Sequence, residues 1–198
     1  MIAFAEHMPP EVKRVALVDF NNDCVGDSLK VVRRMFERFI SLKEQGRFEE
    51  AQKFILFGVR PDTAGNLVDT ALQPSEDFER DRGTSPRLVF ALRQSLDNAY
   101  LSWDLSPEWQ TLARDYCQNI KIVATGGFNP DRIRHFEQLG APVDLFGVGS
   151  ALLSWCSRCG TNNDFTADVV RLKLQGRWVD MAKVGRKPCE NPDLGAVS

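Results

Sequence analysis

The chain has no apolar run approaching the roughly 20 residues that cross a bilayer, and its first residues lack the apolar stretch of an export signal. It has no excess of positive charge either: 25 Lys and Arg stand against 27 Asp and Glu, a formal net charge of -2. Nucleic-acid binders usually carry a basic stripe that replaces phosphate counterions, so that class is set aside. The five cysteines, Cys24, Cys117, Cys156, Cys159 and Cys189, are too few and of the wrong parity for a disulfide framework. Cys156 and Cys159 form a CxxC, but structural zinc takes four ligands and no second pair follows, so reduced thiols are expected. There are only two histidines, and neither reads as a catalyst. His135 falls mid-helix between Arg134 and Phe136, and His7 falls in a linker position beside Pro9 and Pro10. With no internal repeat and no low-complexity segment, these absences leave a soluble, cytoplasmic globular protein with neither nucleic-acid nor membrane partners.

What is present is ordinary core-forming composition, 43% hydrophobic over 198 residues, enough to bury a sizeable core. "RVALVDF" (Arg14 to Phe20) reads as a buried strand with Asp19 at its C-terminal end. Leu29, Val32, Met35, Phe36, Phe39, Ile40 and Leu42 then recur at helical spacing until Gly46. "FILFGVRPDT" is a second strand that delivers Arg60 and Asp62 at its end. Two helix starts follow, Ser85-Pro86 and Ser106-Pro107, each a Ser cap with Pro just inside. "IKIVATGG" is a third strand, "NPDRIRHFEQLG" a capped helix with Ile133, Phe136 and Leu139 on one face, and "VDLFGVGSALLS" a fourth strand leading into a helix. Strands apolar throughout, alternating with helices, predict an α/β fold: a parallel sheet with helices on its outer face, about half of an eight-stranded barrel. The tail changes rhythm, two strand-like runs flanking Gln175-Gly176 as a hairpin. The expected organisation is a partial barrel over 1–164 and a C-terminal hairpin and tail over 165–198.

In parallel α/β architectures ligands gather at the C-terminal strand ends. Asp19, Arg60, Asp62, Thr125 and Ser150 all fall there. The loops Thr125-Gly126-Gly127 and Gly147-Val148-Gly149-Ser150 can bring backbone N–H groups to phosphate oxygens, and they stand where barrel enzymes often build a phosphate site. Glycine after a strand is also plain turn chemistry. Arg60 and Asp62, two apart, share a strand face; they can pair with each other or a neighbouring helix, or clamp a phosphate or carboxylate while accepting from ribose hydroxyls. Asp19 can equally cap a helix or turn.

"ALVDF", "FGVRPDT", "IVATGGF", "LFGVGS", "DFTADVVRL" and "AKVGRK", in this order from about Ala3 to Pro192, resemble the nicotinate phosphoribosyltransferase family. The resemblance implies the C-terminal portion of an irregular α/β barrel of the type II phosphoribosyltransferase kind, with the hairpin from Asp168 to Lys183 returning to a domain outside the barrel. It implies synthesis of nicotinate mononucleotide from nicotinate and phosphoribosyl pyrophosphate, with ATP hydrolysis and a Mg2+ requirement. By the same resemblance the TGG loop (Thr125, Gly126, Gly127) and the GVGS loop (Gly147, Val148, Gly149, Ser150) cradle the ribose 5-phosphate. Arg60 and Asp62 match the family's Arg-x-Asp motif, and Asp19 matches its LVDT aspartate, with Phe20 where the family has Thr. The family's nicotinate loop and its phosphorylated histidine lie upstream of these motifs and have no counterpart here; His7 does not take that role. The expectation is therefore a fragment, a split subunit completed by an N-terminal half, or a truncated relative that dimerises, because half a barrel leaves open edges and an uncovered face. Two alternatives stand beside it: a non-catalytic phosphate- or nucleotide-binding module, and a related phosphoribosyltransferase acting on nicotinamide or quinolinate.

Overall fold

The computed structural model describes residues 1–153 and 167–186. Four short strands, β1 (Val15–Leu17), β2 (Gly58–Arg60), β3 (Lys121–Ala124) and β4 (Leu145–Phe146), form one parallel sheet in the order β1-β2-β3-β4. Each strand therefore lies beside its successor, with helices carrying the chain back between them. The fold is mixed α/β, and an antiparallel hairpin of β5 (Arg171–Leu174) and β6 (Arg177–Asp180) stands apart from the sheet. Its turn uses Gln175 and Gly176, both at positive φ, the geometry that matches strand twist in a two-residue hairpin.

The strands alternate in and out with period two. Ala16, Val18, Val59, Ile122 and Ala124 are buried against the helical layer. That layer is α2 (Cys24–Glu44), α5 (Pro86–Asn98, after the one-turn α4, Phe78–Asp81), α6 (Pro107–Gln118) and α7 (Pro130–Gln138), which contribute Val32, Leu88, Leu92, Leu96, Cys117 and Phe136 to the same core. A second cluster gathers Met35, Phe36, Phe39 and Leu42 of α2 with Ala5 of α1 (Ile2–His7), Ala51 of α3 (Phe48–Gln52) and Phe54. The other sheet face carries Leu17 and Leu145, which remain 49% and 44% exposed. β1 and β4 are the sheet's two edges. Closure into a barrel is not part of the arrangement these residues form.

Local signals explain most helix boundaries. Asp23, Ser85 and Asn129 each accept a backbone N–H at the start of α2, α5 and α7. Ser106 does not; α6 begins on Pro107 with no side-chain cap hydrogen bond. The strands are shorter than the runs that contain them: Phe54–Phe57 precede β2 and Val18–Asp19 follow β1, with only Phe57 and Val18 of these bonded to neighbouring strands. His7 stands at the end of α1, not in a linker, with its Nδ1 2.8 Å from the Ala3 carbonyl. Arg14 clamps that helix to β1: its buried guanidinium donates to the carbonyls of Ala5, Met8, Pro9 and Val12. Cys24 and Cys117 are buried free thiols, and burial pushes both pKa values up, Cys117 to about 12, as expected of inert cysteines. The CxxC pair and Cys189 lie outside the described residues. Among the described residues no helix is long and apolar enough to cross a membrane.

Tyr116 of α6 joins the helical layer to the approach to β2, donating to the Phe54 carbonyl at 2.6 Å and accepting from the Leu56 amide at 3.1 Å. Tyr116→Phe orphans both backbone groups, and urea denaturation is expected to show a loss of about 1–3 kcal/mol; an unchanged midpoint would mean water replaces the hydroxyl.

Candidate functional site

The register stacks residues across the sheet in rows. Leu17 pairs with Arg60, Gly58 with Lys121, and Val123 with Leu145, so Leu17, Arg60, Val123 and Leu145 form one row on the open face. Two residues further toward the C-terminal ends, the same register aligns Asp19, Asp62, Thr125 and Gly147. Backbone bonds carry the register up to this row: Val18 N donates to the Arg60 carbonyl, Thr125 N to Pro61 and Gly147 N to Ala124. Asp19, Asp62, Thr125 and Gly147 thus share one rim, with Arg60 one row below, set there by strand periodicity.

Lys183 completes the rim from the far end of the chain. Its ammonium contacts the Asp19 carboxylate directly, donates to the Asp62 carbonyl at 2.8 Å, and lies 3.9 Å from the Asp62 carboxylate. Val184 N donates to the Phe20 carbonyl at 3.0 Å, fixing the tail against the end of β1. Asp19 is almost wholly buried and does not cap a helix; Asp23 does that for α2. Burial raises the Asp19 pKa above its ordinary value, against the lowering effect of the Lys183 ammonium. A desolvated carboxylate beside an ammonium at a strand end is the kind of arrangement that functional sites use.

The two glycine loops meet at this rim. A Cβ on Gly147 would lie 2.5 Å from Thr125 Cγ2, so only glycine allows the GVGS loop to close on the TGG loop. Gly126 and Gly127 both have positive φ, and a Cβ on Gly126 would stand 3.4 Å from Asp62 Oδ1. Gly149 faces open space and Ser150 begins the short α8 (Ser150–Leu153), exposed. Val148 packs on the core, which leaves only its backbone to a ligand. The Thr125 hydroxyl donates to the Pro61 carbonyl at 3.2 Å, a structural use that sequence reasoning had not assigned. Arg60 is half-buried on the open face, and among the described residues no carboxylate pairs with it.

The rim does not fit a protein-held Mg2+. The Lys183 ammonium already stands between Asp19 and Asp62, and among the described residues no three His, Cys, Asp or Glu side chains gather. What the arrangement offers is a cationic floor at Lys183 and Arg60, an acceptor at Asp62, and backbone amides in two touching loops. Lys183 has no local signal: within "AKVGRK" nothing marks which of the cations folds inward.

Comparison of the chain with protein-family models, with characterised proteins and with solved structures finds no match.

Because the folded-state pKa of Asp19 is raised, its contribution to stability is greatest below the unfolded value of about 3.8 and falls as pH rises through the folded value. Relative to Asp19→Asn, the parent chain is therefore expected to lose stability with rising pH across that window, and Lys183→Met to steepen the loss. Urea midpoints measured at several pH values for all three proteins check the sign; a parent that gains on Asp19→Asn as pH rises would contradict it.

Proposed function

We propose that the chain is a nicotinate phosphoribosyltransferase-like protein whose sheet rim binds the phosphoribosyl group, forming nicotinate mononucleotide from nicotinate and phosphoribosyl pyrophosphate, with ATP as co-substrate. The observation that supports this most is the rim itself: Asp19, Lys183 and Asp62 in contact at the C-terminal strand ends, beside two glycine loops that touch through Thr125 and Gly147. The six ordered motifs of the sequence add the choice of family; the geometry supports a ribose-phosphate site more generally.

In this reading the pyridine nitrogen attacks the ribose C1. The C1–N bond forms as the C1–O bond to pyrophosphate breaks, and the electron pair leaves with the pyrophosphate. Positive charge develops at C1 and the ring oxygen, and negative charge on the leaving group. Positioning and electrostatics do the catalytic work, so no nucleophilic side chain is required. Asp62 accepts from the ribose hydroxyls; Lys183 and Arg60 supply positive charge to phosphate oxygens or to the base's carboxylate. The loop amides of Gly126, Gly127, Gly149 and Ser150 receive the 5-phosphate. Magnesium belongs in this scheme to the pyrophosphate, not to a protein cage. The open face with Leu17, Val123 and Leu145, and the two free edges, is where a separate N-terminal half or a second copy completes the barrel.

A second reading, a non-catalytic phosphate-binding module, rests on the same rim. Incubating the chain with nicotinate, phosphoribosyl pyrophosphate, ATP and Mg2+, alone and with a separately supplied N-terminal half, separates the two. Mononucleotide in either mixture supports the enzyme; ribose-phosphate binding without product in both supports the module. Gly149→Val adds bulk only to open space, so the fold should keep its denaturation midpoint. Ribose 5-phosphate affinity, read by calorimetry, is expected to fall at least about tenfold, or about 1.4 kcal/mol; unchanged affinity would reduce the GVGS loop to a turn.

A further inference from the structure

A cleft of about 430 Å3 adjoins the TGG loop at Gly126, and Asp19, Asp62 and Lys183 are not among its lining residues. Arg80, Arg82, Arg87 and Arg132 line it, together with Gly83, Gly126 and the apolar wall of Phe136 and Leu139. Four guanidinium charges there meet two carboxylates. Asp81, buried, is contacted by Arg80 and Arg87, and exposed Glu79 accepts from Arg82 at 2.8 Å. Arg82 also donates to the Gly65 carbonyl at 2.7 Å.

Arg132 differs from the other three. Among the described residues no carboxylate pairs with it; it donates to the carbonyls of Gly126 and Thr84 and lies 4.5 Å over the Phe128 ring. Burial, and then the positive charge of Arg82, push its pKa below the ordinary guanidinium value. Glu79 offsets the charge of Arg82, whereas among the described residues no carboxylate offsets Arg132, and a cation in a partly desolvated cleft is unfavourable without an anion beside it. Glycines line the approach to both arginines, where a Cβ would make ordinary van der Waals contact. A Cβ on Gly83 or Gly127 would stand 3.7 Å from an Arg132 nitrogen, and one on Gly65 would stand 3.8 Å from Arg82. Gly83 and Gly127 also have positive φ. The surplus of two positive charges equals the charge of a phosphate monoester dianion. Guanidinium forks suit its oxygens, and Leu139, 51% exposed over the buried Phe136, offers an apolar surface to the ester group.

We infer that this cleft is a second anion site, distinct from the rim, that takes an organic phosphate with an apolar body between Arg82 and Arg132. The two sites adjoin at Gly126, whose carbonyl Arg132 holds, so an anion in the cleft would pull on the loop that faces the rim.

His135 lines the cleft and His7 does not, and with only two histidines in the chain their ring signals report the site by proton NMR. Phenyl phosphate titrated at constant pH into the full chain is expected to shift the His135 signals saturably and leave those of His7 in place. Arg82→Ala, on an exposed side chain, should weaken that titration at least about tenfold with the thermal midpoint unchanged. Leu139→Glu, which puts negative charge on the exposed wall, should do the same, while Asp62→Asn at the rim should not alter it. No shift of His135, a titration indifferent to both cleft variants, or one abolished by Asp62→Asn would overturn the site. Benzoate binding as tightly as phenyl phosphate would overturn its assignment to phosphate.

Discussion

The contact between the Lys183 ammonium and the buried Asp19 carboxylate is the constraint on which the rim depends. Each charge alone would be costly to remove from water, by several kcal/mol even after relaxation, and their attraction offsets this only where the geometry is close. Burial still wins at Asp19, whose pKa stays raised. The pair is thus better understood as a fastening than as a source of net stability. It draws the tail across the ends of β1 and β2, with Val184 bonded to Phe20 beside it. Without it the Val184–Phe20 bond would hold the tail alone, and Asp19 would be buried with no cation in contact.

Everything else at the rim follows from a sheet whose strands are successive neighbours. Period-two alternation sends Ala16, Val59, Ile122 and Ala124 into the helices and turns Leu17, Arg60, Val123 and Leu145 the other way. The helical side is closed by two continuous clusters, while the opposite face keeps large apolar side chains in contact with solvent. A single rule of strand geometry therefore produces both the alignment of polar groups at one end and the open surface below them. Glycine then decides how close the loops come, with Gly147 on Thr125 as the tightest case.

Much of this was legible in the sequence because it is local. The four strand ends, the helix starts at Asn129 and Ser85, the Gln175-Gly176 turn and the placement of Asp19, Arg60, Asp62 and Thr125 are all set within a few residues. What was not legible depends on distance along the chain. Lys183 meets Asp62 across 121 positions, and no spacing rule points from one to the other. Other features are local yet leave no pattern: the carbonyls that hold Arg14, two to nine positions away, carry no side-chain signature. Leu139 looked like core by helical spacing, yet α7 ends there and leaves it on the wall of the arginine cleft. The cleft itself draws on three separate segments, so its charge surplus could not be seen before they were assembled.

The central claim is that a ribose phosphate is held at the C-terminal ends of the parallel strands. Backbone amide NMR of the chain titrated with ribose 5-phosphate tests it most directly. The account predicts that Gly126, Gly127, Gly149 and Ser150 shift together with Asp19, Asp62 and Lys183. Shifts centred instead on the opposite ends of the strands, at Arg14, Gly58 and Lys121, or no saturable shift at the rim, would contradict it.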